Sequence, residues 1–236
     1  MTVPLLVSVD SLDEARVASR FPVAIIDFKD PTAGSLGRCG DAILHSINHL
    51  QPPALGFSAA CGELSDLFDD AKQCEAVASV PPGFRFVKAG PALIRDRSVL
   101  TERLQQFADC CHPNITPVAV AYADDPIAGS LAAEEIVELA SDVGFRWFLL
   151  DTMSKDGRRL PDWISFERLG RVIRQCHDNE MRIVLAGSLS LPLASQLLEL
   201  GPDLLGVRGA VCSGDRARAS IRKSWRIGVP SWNSIA

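Results

Sequence analysis

Short apolar runs alternate along this chain with segments whose apolar positions recur every three or four residues. The runs at 4–9, 23–28, 55–62, 83–90, 115–122, 146–151, 182–188 and 204–209 predict strands. Helices are predicted between and after them, at 11–19, 41–50, 66–79, 98–110, 131–143, 165–177, 193–200 and 215–225. Local chemistry marks several of these helices. Ser11 followed by Glu14 reads as a capping box. Ile43, Leu44, Ile47 and Leu50 form one apolar stripe, and Leu100, Leu104, Phe107 and Ala108 another. Near-continuous apolar strands alternating with helices imply a parallel sheet covered on both faces. Eight such units without a linker or composition break point to one (β/α)8 TIM barrel domain spanning residues 1–236. An open doubly wound sheet is the alternative, but the first strand–helix turn lacks a G-x-G-x-x-G fingerprint.

The second strand, Val23-Ala-Ile-Ile-Asp-Phe-Lys-Asp-Pro31, ends on two acids and a lysine. Asp27 and Lys29 have the same parity and leave one face, with Phe28 on the other. Two charges on a core strand are costly unless they pair or face a cavity, so a structural ion pair and a functional site are both open from this segment alone. Lys88 closes the fourth strand, and Asp151 closes the sixth, with Lys155 in the loop beyond. In a barrel these residues all fall at the carboxyl ends of alternate strands, where active sites lie. Gly187 and Ser188 after the seventh strand, with Arg208 and Gly209 after the eighth, are candidates for binding a substrate phosphate. Glycine there admits backbone N–H groups to an anion, and arginine offers a charged fork.

Composition narrows the function classes. The 236 residues are 47% hydrophobic and 22% charged, with a formal net charge of −5, which gives no support to nucleic-acid or general membrane-surface binding. The apolar start is too short to span a membrane and lacks the basic residues of a secretory signal. Seven scattered cysteines without C-x-x-C spacing fit free thiols in a reducing cytoplasm. His45 and His49 lie four apart on a predicted helix, but no third ligand accompanies them; a surface face is the simpler reading, and no metal is expected. No cofactor motif is present either. The oligomeric state is open, a homo-oligomer included, because exposed helix faces and interfaces read alike in sequence. Side chains alone would then carry the chemistry. A lysine with a lowered pKa can attack a carbonyl to form a Schiff base, with a second lysine as its cationic neighbour and Asp27 and Asp151 moving protons.

These motifs resemble those of the (5-formylfuran-3-yl)methyl phosphate synthases. Ile-Ile-Asp-Phe-Lys-Asp-Pro31 followed by Gly-Ser-Leu-Gly37 is similar to that family's Asp-Val-Lys-Asn-Pro…Gly-Ser-Leu-Gly motif. Leu5 to Ser8, Ser58-Ala-Ala-Cys-Gly-Glu63, Phe86-Val-Lys-Ala-Gly90, Leu150-Asp-Thr-Met-Ser-Lys-Asp-Gly157, Ala186-Gly-Ser-Leu189 and Val207-Arg-Gly209 extend the likeness over nearly the whole chain. The resemblance implies a (β/α)8 enzyme that condenses two glyceraldehyde 3-phosphates into a phosphorylated furan aldehyde, with loss of phosphate and water, in methanofuran biosynthesis. It further implies Lys29 as the Schiff-base lysine, with Asp27, Lys88, Asp151 and Lys155 as catalytic neighbours. Asp30 stands where the family often has Asn, placing another negative charge beside Lys29. Three rivals use the same residue types. One is a class I aldolase, and another an enzyme of the orotidine-phosphate decarboxylase group, in which the lysine acts as an acid. The third is a sugar-phosphate-binding barrel without turnover.

Overall fold

A computed structural model describes residues 4–68, 75–208, 212–213 and 220–221. Eight parallel strands close into a barrel in sequence order: β1 (Leu5–Val9), β2 (Ile25–Phe28), β3 (Gly56–Glu63), β4 (Phe84–Gly90), β5 (Thr116–Tyr122), β6 (Trp147–Asp151), β7 (Arg182–Leu185) and β8 (Leu204–Val207). The seam is shut by Leu5, Leu6 and Val7 pairing with Leu205, Gly206 and Val207. Helices are α1 (Leu12–Ala18), α2 (Asp41–His45), α3 (Leu64–Leu67), α4 (Glu75–Ala78), α5 (Arg97–Cys110), α6 (Asp125–Ala128), α7 (Ala133–Val143), α8 (Phe166–Asp178) and α9 (Leu191–Leu198). The fold class is therefore the (β/α)8 barrel expected from the alternating pattern.

Strand parity divides the core in two. Residues such as Val7, Phe28, Val87 and Phe148 face the helices, whereas Leu6, Ile25, Phe86, Val118, Tyr122 and Leu149 fill the barrel interior. On the outer face Phe28 meets Phe57 of β3 and Phe84 of β4 edge-on, with ring centroids 6.0 and 5.7 Å apart. That packing fixes the register of β2 and so turns Asp27 inward, because a slip of one residue would reverse every side chain.

Helix starts follow side-chain caps. Ser11, Asp96 and Ser165 each accept backbone N–H bonds at the first turns of α1, α5 and α8. The Ser11–Glu14 box is half formed. Ser11 Oγ accepts the Glu14 N–H, but the buried Glu14 carboxylate accepts the Asp10 N–H and a guanidinium bond from Arg208.

Four predicted helices need correction. The 41–50 helix tightens into a 3-10 turn at Ser46–His49, where Ser46 Oγ bonds the Ile43 carbonyl; His45 and His49 are exposed. The 66–79 helix is present as α3 and α4, and 69–74 lie outside the described residues. The 131–143 helix begins two residues late, and a separate short helix, α6, precedes it. Within the predicted 215–225 helix, Ser220–Ile221 instead form a short antiparallel pair with Cys212–Ser213; the rest lies outside the described residues, as does Gly209. The cysteine reading is also amended. Cys39, Cys61, Cys111 and Cys176 are free, but Cys110 is disulfide-bonded. No helix among the described residues is long and apolar enough to cross a membrane.

Candidate active site

The polar residues of the barrel interior gather at the carboxyl end of the strands. Ser8, Asp27 and Ser58 lie side by side in register on β1, β2 and β3. Ser8 Oγ donates to Asp27 Oδ2 at 3.0 Å. Lys88 crosses from β4 to pair with Asp27 Oδ1 and donates to Ser58 Oγ at 3.3 Å. The small residues of β3, Ser58 and Ala60, leave the room that lets this lysine reach Asp27. Asp27, Ser58 and Lys88 are each at most 2% exposed.

Lys29, one residue beyond β2, turns to the opposite wall. Its Nζ lies 3.6 Å from Asp151 Oδ2 at the end of β6. Asp151 Oδ1 accepts the Thr152 N–H at 2.8 Å and Lys155 Nζ at 3.2 Å. Lys155 also donates to the carbonyl and hydroxyl of Thr152. All five candidate residues thus come together, but not in the pairing suggested by neighbouring positions on β2. Asp27 partners Lys88, and Lys29 partners Asp151.

This arrangement sets the electrostatics. Burial holds the Lys88 ammonium below the usual lysine range; the Asp27 carboxylate opposes that shift, and the nearby Lys29 charge adds to it. Asp30 is turned away from this cluster. Its carboxylate caps the 3-10 turn Pro31–Ala33, accepting the Thr32 N–H at 2.8 Å and the Thr32 hydroxyl at 2.6 Å. Those bonds hold its pKa below the usual value. The extra negative charge beside Lys29 therefore has a local role as a loop cap.

The seventh-strand loop lines the same cavity as Asp27, Lys29, Lys88 and Asp151. Gly187 and Ser188 both adopt positive φ, +103° and +54°. A Cβ at Gly187 would come within 2.9 Å of the Thr152 methyl group, so glycine brings this turn against the Asp151 loop. Ser188 is not glycine, and its left-handed backbone marks a position held against its preference. Arg208 lines the cavity too, but its guanidinium is engaged with Asp10, Glu14 at 2.8 Å and the Ser8 carbonyl at 3.1 Å. It ties β8 to β1 and α1.

Three supporting residues have no role legible in the sequence, although one of them, Glu63, closes the Ser58–Glu63 motif. Asp124, fully buried, accepts the N–H groups of Met153 and Ser154, both at 2.7 Å, and so anchors the loop carrying Lys155. Replacing Asp124 with Ala should cost about 1–3 kcal/mol, the penalty for stranding buried donors. It should also raise hydrogen exchange at 153–157, read by mass spectrometry; unchanged exchange there would refute the anchoring role.

Tyr122, level with Asp151 on the next strand, donates to Glu63 Oε1 at 2.5 Å, and Glu63 Oε2 accepts the Ala92 N–H at 3.1 Å. A Cβ at Gly90 would fall 2.1 Å from the Glu63 carboxylate and 2.3 Å from the Tyr122 oxygen, so this contact requires glycine. Burial raises the pKa of both Glu63 and Tyr122. In a Tyr122→Phe variant Glu63 loses a donor that stabilises its charged form. The variant's stability deficit should then grow as pH rises through Glu63's titration, which burial places above the ordinary value of 4.5. Urea unfolding at several pH values tests this, and a pH-independent deficit would contradict it.

Among the described residues, no group of three or more His, Cys, Asp or Glu is placed to hold a metal. The site is a lysine–carboxylate array, suited to carbonyl and proton-transfer chemistry.

Comparison with solved structures finds the same architecture. Phosphoribosyl anthranilate isomerase from Thermus thermophilus aligns over 92% of each chain with a TM-score of 0.58 at 13% identity. 3-Hexulose-6-phosphate synthase from Salmonella typhimurium aligns over 88% of this chain and 90% of its own, with a TM-score of 0.57 at 20% identity. At these identities the likeness speaks for the fold. Sequence relatives are nearer. A (5-formylfuran-3-yl)methyl phosphate synthase of Methanopyrus kandleri is 32% identical, covering 92% of this chain and 93% of the relative. Its namesake in Methanocaldococcus jannaschii is 31% identical, covering 92% and 94%. The sequence profile of the 4-HFC-P synthases matches residues 5–225. With that match across almost the entire barrel, its lysine and carboxylate strand ends included, the chain belongs to the 4-HFC-P synthase family.

Proposed function

We propose that this protein is a (5-formylfuran-3-yl)methyl phosphate synthase that condenses two molecules of glyceraldehyde 3-phosphate through a lysine Schiff base, with loss of phosphate and water. The observation that carries the reading is the array of three lysines and two aspartates at the barrel mouth, all but Lys155 buried, in a chain of this family. Lys29 is the nucleophile. Its 3.6 Å contact with Asp151 is looser than the clamp on Lys88, and it lines the cavity. Its neutral amine adds to the carbonyl carbon of one triose phosphate, and loss of water leaves the iminium. Removal of an adjacent carbon-bound proton then gives an enamine that adds to the second aldehyde. Asp151, bridged to both Lys29 and Lys155, is placed to take and return these protons. Lys88, with Asp27 beneath it, holds a second ammonium near the nucleophile. The left-handed Gly187–Ser188 turn presents backbone N–H groups for one phosphate, and Arg208 frames that side of the cavity.

A second assignment has one observation behind it: burial lowers the pKa of Lys88, which would favour that amine as nucleophile. Incubation with glyceraldehyde 3-phosphate and borohydride, followed by peptide mapping, separates the two. The adduct is expected on Lys29, with furan absorbance and released phosphate in the unreduced reaction. An adduct on Lys88 would exchange the two roles. An adduct without furan would indicate a simpler aldolase, and neither adduct nor furan would refute the synthase reading. In the described setting the product would feed methanofuran assembly in the cytoplasm, with no cofactor required.

A further inference from the structure

The geometry points to a second anion site, at the opposite end of the barrel from the lysines, for a small phosphate monoester carrying a flat ring. A cavity of about 660 Å³ opens at the amino ends of the strands, within the size range of small-molecule pockets. Arg85 from β4, Arg146 just before β6 and Arg182 at the start of β7 line it. Glu180 is the one acidic residue in the lining, and it pairs with Arg146 at 3.1 Å. Three guanidiniums against one carboxylate leave a local surplus of two positive charges on a chain whose formal net charge is −5. A dianion answers that surplus, and guanidinium forks match phosphate oxygens in pairs.

The strands that carry the arginines are tied together: the backbone N–H of Arg182 donates to the Arg146 carbonyl at 3.0 Å, which sets these two positions side by side. The stem of Arg85 lies across Gly56, where a Cβ would come within 2.4 Å of its Cγ. The cavity wall is aromatic: Arg182 sits 5.4 Å from the Trp147 ring centroid, and Trp147 meets Phe86 edge-on at 4.9 Å. Trp147 and Phe86 thus form an aromatic wall against which a ring can pack, beside the Arg182 guanidinium. The concave shape and the single patch of charge favour a small molecule over a protein partner. Phe86 and Trp147 share interior faces of β4 and β6 with Lys88 and Asp151, which places this site under the catalytic layer while leaving it separate from it.

The test is calorimetric titration of the full chain with adenosine 5′-monophosphate, inorganic phosphate and adenosine, repeated on an Arg85→Ala, Arg182→Ala double variant. Neither arginine belongs to the catalytic array, so turnover and thermal melting of the double variant should match the parent. The expected result is tightest binding of the monophosphate, weaker binding of phosphate and the least binding of adenosine. The double variant should lose roughly ten-fold or more in monophosphate affinity, as loss of charge-assisted hydrogen bonds predicts. Absence of monophosphate binding would overturn the proposal. So would affinity unchanged in the double variant, since that would place the ligand at the catalytic mouth.

Discussion

Replacing Lys29 with Arg should abolish the borohydride adduct and lower furan formation by about 10³-fold or more, as expected when a covalent nucleophile is removed. The change keeps the positive charge opposite Asp151, so the ion pair at the β6 end can persist. A guanidinium remains protonated at all working pH values and cannot add to a carbonyl. The barrel should melt near the parent temperature, because the side chain, although buried, lines the cavity and not the packed apolar layers below it. Steady-state assay by furan absorbance, with borohydride trapping, checks the outcome. An active Lys29→Arg protein that still forms an adduct would move the nucleophile to Lys88. Turnover without any adduct would remove the Schiff base from the mechanism.

The largest stability effect is expected at Asp27. Asp27→Asn leaves the Lys88 ammonium buried without its carboxylate, and breaking one side of a buried pair costs about 3–5 kcal/mol. Against a typical total of about 5–15 kcal/mol this is a large fraction. The cost depends on pH in a stated direction. In the folded protein burial lowers the Lys88 pKa below its model-peptide value of 10.5, so the unfolded chain binds more protons between the two values. Stability contributed by this group therefore rises with pH across that window. Removing Asp27 takes away the interaction that opposes the shift, so the window widens toward lower pH. Urea denaturation of Asp27→Asn should show its greatest deficit near pH 6 and a smaller one near pH 9. A deficit constant over that range would mean that Lys88 is not the group responsible.

The two variants separate the roles of neighbouring residues on one strand. Lys29 is expected to matter for chemistry with little effect on folding, whereas Asp27 supports both. Their partners explain the contrast. Asp27 lies beneath Lys88 and Ser8 in a nearly solvent-free layer, whereas Lys29 stands one step nearer the opening beside Asp151.

Local pattern was enough to define the barrel. The period of the apolar positions separated strands from helices, and the strand at 23–28 carried its parity in the residues themselves. Phe28 packs outward and Asp27 inward, as the alternation requires. The candidate charges were legible for the same reason: polar residues at the ends of apolar strands stand out against their surroundings. The family resemblance, carried by strings of adjacent residues, was legible too.

What one chain could not convey was which charge meets which. Asp27 and Lys29 are near in sequence, yet pairing depends on strand tilt, side-chain length and the space left by neighbours across the barrel. Small residues on β3 admit Lys88 to Asp27, and the turn at Thr152 holds Asp151 toward Lys29. The supporting groups were hidden on the same ground. Asp124, Glu63 and Tyr122 act on residues some 30 to 60 positions away, and no spacing rule links them. Arg208 was read as a phosphate ligand from its place after the eighth strand, while Asp10 and Glu14, at the other end of the chain, engage it when the seam closes. The sequence by itself determined the barrel, its mouth and the residue types gathered there, because these follow from local periodicity. Tertiary structure decided the partners, because ion pairs form between side chains brought together only when the sheet closes on itself.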